Sequence, residues 1–403
     1  MTSTCVNVDI AIIGGGIAGL WLLNRLCNSG YNAVLFEHDS LGNMQTMASQ
    51  GMIHGGIKYA LGGALTGASE AIADMPDHWR SCLRGEGDVD LSDAKVLSEH
   101  FYMWSTQSIT SKVTSFFASK VTRGRVDAVA KSERPEVFQS DEFRGSLYKL
   151  VDLVLDVPSV VSTLVENYKD RIFSIDWANS QFEKNIDGEV NILSTISADK
   201  KFEINAQRFV FTAGAGNEQL CQMLDIKKPA MQRRPLKQVL VKHHYPFPLY
   251  AHCMGTNPSP RITISSHQCK DGKNVWYLGG DLATNGVSQT DDVLISTAKK
   301  ELADLFPWLD FSDSEWATLY IDRAEPQQGG LIKPDKAFAE TAASCGNVII
   351  SWPTKLTLAP NMADEVAHLL DKDNVRPTAQ PLDQALSSLK KPTISIPCWE
   401  TLF

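Results

Sequence analysis

Gly14-Gly15-Gly16-Ile17-Ala18-Gly19, close to the amino terminus, has the spacing GxGxxG. A backbone stripped at those three positions suits a phosphate. Gly14 permits a tight turn, Gly16 lets a pyrophosphate reach the main chain, and Gly19 lets a helix pack closely on a strand. Ile17 and Ala18 open that helix, whose N–H groups and dipole favour an anion. Glu37, further along, can accept hydrogen bonds from ribose hydroxyls. A second stretch, ASQGMIHGGIKYALGG at 48–63, holds Gly51, Gly55, Gly56, Gly62 and Gly63, one histidine and little charge. It is too flexible for an ordinary helix and too rich in glycine for an ordinary strand. It reads as backbone brought close to a flat ligand.

The elements around the first motif are those the chemistry needs. Val8 to Ile13 is a continuous apolar run with β-branched residues, which fits a buried parallel strand. A helix follows the glycines, with Leu20, Leu23, Leu26 and Cys27 on one stripe and Asn28-Ser29-Gly30 closing it. Ala33 to Phe36 forms the next strand and Glu37 ends it. Strand, turn, helix, strand and terminal acid in that order make a dinucleotide-binding unit. The unit alone does not choose between FAD and NAD; its place at the opening of the chain suits a flavoenzyme. Loops at the carboxyl ends of such strands line the ligand crevice. Residues 46 to 59 are therefore expected along the pyrophosphate and isoalloxazine ring, with Thr46 and Ser49 as hydroxyl donors and Gln50, Gly51 and Ile53 in the same run.

The segment SQGMIHGGIKY resembles the flavin loop of the FAD-dependent glycerol-3-phosphate dehydrogenases. It is also similar to that of the 2-hydroxyglutarate oxidases and, more loosely, the glycine and sarcosine oxidases, all of the D-amino-acid oxidase-like superfamily. Ser49, Ile53, His54, Gly55, Gly56 and Tyr59 carry the likeness; Lys58 stands where the glycerophosphate enzymes usually have arginine. RFVFTAGAGNEQL (208–220) resembles the superfamily's second nucleotide motif and implies Ala213 and Gly214 near the dinucleotide. Lys355-Leu356-Thr357 matches the Lys-aliphatic-Thr of the glycerophosphate enzymes. A lysine and a following helix N-terminus there would stabilise the charge a flavin gains on reduction. The resemblance also puts the backbone of an expected strand from Ile172 to Ala178 beside adenine. The glycerophosphate enzymes usually carry an extra C-terminal helical domain, and the resemblance is not expected to extend to it.

The expected fold is α/β with two domains: a Rossmann-like FAD-binding domain and a discontinuous substrate domain built on an antiparallel sheet. The first would span 1–75, 145–232 and 322–371, the second 76–144 and 233–321, with 372–403 an irregular strap or mobile end. LKQVLVKHH, RITISSH and VWYLGGDL have strand character. His54, in the flavin loop, is a candidate base or flavin-edge contact. Tyr250, His252 and His267 sit in the expected sheet, where alternation decides which face each takes. Arg323 and Lys58, with Tyr59, form a candidate anion pocket, since an arginine fork binds carboxylate or phosphate.

The expected reaction is hydride transfer from a small anionic substrate, of the 2-hydroxy-acid or glycerol-phosphate type, to the N5 atom of a non-covalently bound FAD. Electrons would pass on to O2 or a quinone. An amine or amino-acid oxidase of the same superfamily is the alternative, and a non-catalytic flavin-binding module a third reading. The net charge of −9 over 403 residues and a pI near 5.5 argue against nucleic acid as a partner. There is no transmembrane stretch, no signal-peptide pattern and no zinc spacing among the eight scattered cysteines. A cytoplasmic, metal-free protein is expected.

Overall fold

The computed structural model describes residues 3–56, 72–106, 126–257, 259–329, 334 and 336–403. Lys58 and Tyr59 lie outside them. The β-branched run at the amino terminus forms the strand Ser3–Ile13, parallel to Ala33–Glu37 on one side and to Lys200–Phe211 on the other. Ile172–Ser174 extends the sheet beyond Ala33–Glu37, and Val348–Trp352 joins it against Phe209 to Phe211. These five strands are parallel, and their carboxyl ends share one edge. Antiparallel additions, Ser180–Lys184, Val190–Ser197 and Phe338–Thr341, complete the eight-stranded first sheet.

Helices Ile17–Asn28, Val157–Asn167 and Ala359–Lys372 cover one face. Leu20, Leu23, Val160, Leu164, Met362 and Val366 meet Ile10, Ile12 and Leu35 in a shared core. Pro360 sits in the first turn of its helix, where its missing N–H costs little. Phe173, Leu193, Phe202 and Trp352 pack beneath the other face.

The second sheet is also eight-stranded. Its order is Glu315–Pro326, Met231–His243, Asn274–Gly279, Pro260–Gln268, Ala251–Met254, Phe101–Ser105, Ser146–Leu150 and Val126–Ala128. All pairings are antiparallel except that of Ala251–Met254 with Phe101–Ser105. Strand alternation sorts its side chains. Val239, Val241, Ile262, Ile264 and Trp276 face helix Asp291–Leu305, while Leu240, Tyr277 and their neighbours face the other way. A small third sheet joins Met52–Ile53, Leu153–Leu155 and Val96–Ser98.

The expected division of the chain needs correction at its seams. Ser146–Leu150 belongs to the second sheet, paired with Phe101–Ser105, although 145–232 was assigned to the first domain. Strands Met231–His243 and Glu315–Pro326 pair along their lengths and cross positions 233 and 322 without a break. Burial of a continuous antiparallel pair sets those borders, and composition carries no trace of them.

Candidate active site

The glycine turn is held as the sequence required. Gly14 has φ +114°, and a Cβ there would lie 2.5 Å from the Ala213 Cα. At Gly19 it would meet the Gly14 carbonyl oxygen at 1.9 Å, so this glycine serves protein packing. Gly16 differs: its Cβ would approach only the Thr46 hydroxyl, at 3.2 Å. The main chain there is bare towards the crevice. Gly16 also caps helix Ile17–Asn28 without a side-chain hydrogen bond. A bare helix N-terminus at the carboxyl edge of a parallel sheet fits a pyrophosphate.

Around this turn the remaining groups divide their work. The Glu37 carboxylate accepts from the Gly15 N–H at 2.6 Å and the Asp39 N–H at 2.8 Å, and a carboxylate retains further lone pairs for a ribose. Thr46 Oγ1 accepts from Ile17 N at 3.0 Å, leaving its hydroxyl proton to donate outward. Thr212, which the sequence reading passed over, donates to the Gly14 carbonyl at 2.8 Å and fixes the turn from the neighbouring strand. Ala213 N donates to Asn217 Oδ1 at 2.8 Å, and Gly214 adopts φ +57° with its carbonyl accepting from Trp352 Nε1 at 3.0 Å. Buried Asn217 also donates to the Ser351 carbonyl, tying this motif to the next strand. Ala178 is misplaced by the sequence reading. The strand ends at Ser174, and Ala178 lies in the exposed turn Trp177–Asn179, its N–H taken by Asp176. Asp176 caps the turn and stops the strand early. Ile175 N donates to the Glu37 carbonyl at 2.9 Å, so the chain after Ser174 still runs beside the ribose acid.

Much of the flavin-loop chemistry proves to be internal. Gly51 has φ +71°, and a Cβ would strike the Leu155 carbonyl at 2.1 Å; this glycine accommodates the third sheet. Ser49 Oγ accepts from Gly51 N at 3.3 Å. Gln50 Nε2 donates to the Tyr277 carbonyl at 2.9 Å, stitching the loop to the second sheet, and Gln45 Oε1 adds a second stitch by accepting from Ala324 N at 3.0 Å. Ile53 is fully buried. Thr357 Oγ1 accepts from His54 N and donates to the Met52 carbonyl, while the Thr357 carbonyl takes Trp79 Nε1. Thr357 therefore holds the loop in place. Lys355 is half-buried and opens the turn Leu356–Leu358, which runs directly into helix Ala359–Lys372; Leu356 packs on the first core.

His54 is buried and its Nδ1 lies 3.2 Å from Asp152 Oδ2. The other Asp152 oxygen accepts from Gly55 N at 2.8 Å. Asp152 is 2 % exposed and went unremarked in the sequence; a lone acid inside the apolar run LVDLVL is the signal that could have found it. The carboxylate selects the tautomer with a proton on Nδ1 and turns Nε2 into an acceptor. His252 stacks parallel to His54 at 6.0 Å between ring centres and touches Phe101 at 4.4 Å. Tyr250 lies beside Phe101 and Val154, its hydroxyl pushed to a higher pKa by burial.

Arg323 pairs in register with Arg234 and projects from the same face as Leu319. Its Nε donates to the Arg234 carbonyl at 2.9 Å, and no acid among the described residues comes within ion-pair distance. Burial and the adjacent Arg234 pull its pKa down to about 10. Arg234, by contrast, is forked onto the buried Glu325 at 2.8 and 3.0 Å. His267 does not join this group. It is fully enclosed, stacked on Trp399 at 4.1 Å, and burial drives its pKa down to about 3. A ring enclosed under the C-terminal segment is a packing residue; strand alternation could not reveal what covered it.

A phosphate-binding turn, a ribose acid and a second sheet facing them across a flavin-type loop define an FAD-dependent oxidoreductase. The family described as FAD dependent oxidoreductase (DAO) matches residues 9–369, and the chain belongs to that family. FAD is its cofactor, and a small molecule its substrate. The chain is similar to the FAD-dependent oxidoreductase PA4991 of Pseudomonas aeruginosa, with 47 % identity over 399 residues and 99 % of each chain covered. The crystal structure of that protein superposes with a TM-score of 0.84 at 41 % identity, again over 99 % of both chains. Glycine oxidase from Geobacillus kaustophilus (TM-score 0.66, 14 % identity, 96 % of this chain and 99 % of that one) shares the fold. So does L-alpha-glycerophosphate oxidase from Mycoplasma pneumoniae (0.62, 14 %, 97 % and 100 %). Among the described residues no helix is long and apolar enough to cross a membrane.

Proposed function

We propose that the chain oxidises a small anionic substrate of the 2-hydroxy-acid or glycerol-phosphate type. The observation that carries this reading is Arg323, a half-buried guanidinium on the inner face of the second sheet, anchored by a backbone carbonyl with no carboxylate partner among the described residues. A planar cation so placed favours a bidentate carboxylate or phosphate. Bound FAD supplies a two-electron acceptor, taking hydride at N5, held non-covalently in this proposal. The residues do the rest. Arg323 orients the anion. His54, oriented by Asp152, accepts the hydroxyl proton at Nε2 as the C–H bond breaks. The buried surroundings of His54, His252 and Phe101 keep water away from that proton.

A carboxylate-supported base suits an alcohol substrate, whose hydroxyl proton must leave as the hydride is transferred. O2 or a quinone is the proposed final acceptor. The eight free thiols suit a reducing, cytoplasmic setting. Anaerobic mixing of the yellow protein with hydroxy acids, glycerol phosphate and amino acids tests the reading. Bleaching by a hydroxy acid or glycerol phosphate is expected. Bleaching by amines alone assigns the chain to the amino-acid oxidases, and no bleaching by any of them returns it to a non-catalytic flavin-binding role.

A further inference from the structure

We propose that residues 390–403 form a strap that closes over the adenosine end of the FAD site and sets the rate at which FAD leaves. The inference rests on placing the FAD ribose at Glu37 and the pyrophosphate at Gly16. Beyond helix Ala359–Lys372 the chain doubles back beneath the first sheet, where Thr378 binds Asp9 through its N–H and its hydroxyl. Leu386 and Leu389 then seat the turn Gln384–Ser388 in the lower core. From there the chain rises to the carboxyl edge.

At that edge it contacts the strand beside the ribose acid and the loop that follows it. The Lys390 carbonyl accepts from Ser174 N at 2.7 Å, and Ser174 lies opposite Glu37 in the sheet. Lys391 is held by the Lys169 and Asp170 carbonyls over the Phe173 ring. Thr393 and Ser395 bracket Leu41, the Thr393 carbonyl accepting from Leu41 N at 2.8 Å and Ser395 N donating to the Leu41 carbonyl at 2.9 Å. Leu41 in turn supports the phosphate turn: a Cβ on Gly15 would lie 2.4 Å from its Cδ2.

The far end is anchored in the other sheet. Trp399, 3 % exposed, stacks on His267, and Cys398 Sγ lies 2.8 Å from the Tyr277 hydroxyl. Glu400 accepts from Lys270 N at 2.9 Å, and Phe403 sits under Lys242. One segment thus spans from the adenosine end of the first sheet to the inner face of the second. Adenosine cannot leave along that edge until the Leu41 pairing opens, and the Trp399 anchor opposes that opening. The strap is therefore a cofactor-retention element made of backbone pairing at one end and a buried indole at the other.

The test is FAD release from holoprotein, followed by flavin fluorescence after dilution into an excess of an FAD-capturing apoprotein. A chain ending at Leu389 keeps Leu386 and Leu389 in the core and should release FAD at least tenfold faster. Ser395→Pro removes only the N–H that pairs with Leu41 and should accelerate release several-fold with an unchanged circular dichroism spectrum. Should the shortened chain fail to fold, Ser395→Pro decides alone. Wild-type release from Ser395→Pro, or from both variants, overturns the proposal. Gly16→Val keeps the two failures apart: if it retains FAD, the cofactor lies elsewhere and the strap has nothing to cover.

Discussion

The two facing halves of the site hold their ligands in opposite ways. On the first sheet the place for a ligand is bare main chain at Gly16, shaped by the packing of Gly14 and Gly19 and flanked by the Glu37 carboxylate. The proposed substrate half would depend on side chains gathered from separate elements: His54 and Asp152 beside the third sheet, His252 and Arg323 on the second. A backbone site is encoded by a short local pattern and tolerates few changes. A side-chain site is assembled by topology and is adjustable one residue at a time. Relatives that share the fold at 14 % identity, yet are named for glycine and for glycerophosphate, fit that division.

The sharpest way to break the comparison lies within the glycine turn. Gly19→Ala drives a Cβ into the Gly14 carbonyl and should prevent stable folding, visible as loss of a cooperative thermal transition. Gly16→Val meets only a side-chain hydroxyl and should fold, yet retain no FAD by absorbance at saturating cofactor. A yellow Gly16→Val protein would show that the pyrophosphate is elsewhere. On the second sheet, Arg323→Met should cost about 1.5–3 kcal/mol of substrate binding, roughly 10- to 150-fold in KM, with FAD content unchanged. If kcat falls as well, the guanidinium positions the reacting C–H bond; wild-type values for both constants would remove Arg323 from the site.

His267 gives a smaller effect with a definite sign. Its folded pKa, about 3, lies below the ordinary value near 6.5, so the unfolded chain binds the proton more readily. Its contribution is fully present above about pH 6.5 and is lost as pH falls from there towards 3, by up to about 1.4 kcal/mol per pH unit. His267→Gln should flatten the acid limb of a denaturation profile measured between pH 7 and 5; an unchanged slope would mean that the ring titrates normally. Smallest is Lys355→Met, expected to lower the flavin midpoint potential by about 20 mV, equivalent to about 1 kcal/mol at the reduced cofactor. Redox titration reads this directly, and an unshifted potential places the ammonium away from the flavin.

What could be read from the sequence follows the same division. The dinucleotide unit, the helix behind Lys355 and the strand character of LKQVLVKHH, RITISSH and VWYLGGDL are local patterns, and each was found as expected except that Asp281 and Leu282 open a helix. Ala178 failed because Asp176 ends the strand by capping a turn, a choice decided by one side chain. Gly51 and Thr357, expected beside the cofactor, also have protein neighbours in Leu155 and the His54 backbone, since a glycine or a hydroxyl shows a need for closeness without saying to what. Asp152 and Thr212 act through residues far away in the chain, and a single sequence contains no measure of that proximity.

The support that Thr212 gives to Gly14 bears on how the protein is made. The phosphate turn is complete within the first nineteen residues, but its stabilising hydroxyl and its parallel neighbour Lys200–Phe211 come about 200 residues later. At 5–20 residues per second a ribosome needs roughly 10–40 s to cover that distance. Until then the glycine turn leaves the exit tunnel without the strand that shapes it. The cofactor pocket is thus written first and finished late, and a nascent chain would have to be protected from aggregation through that interval before FAD could help to hold it folded.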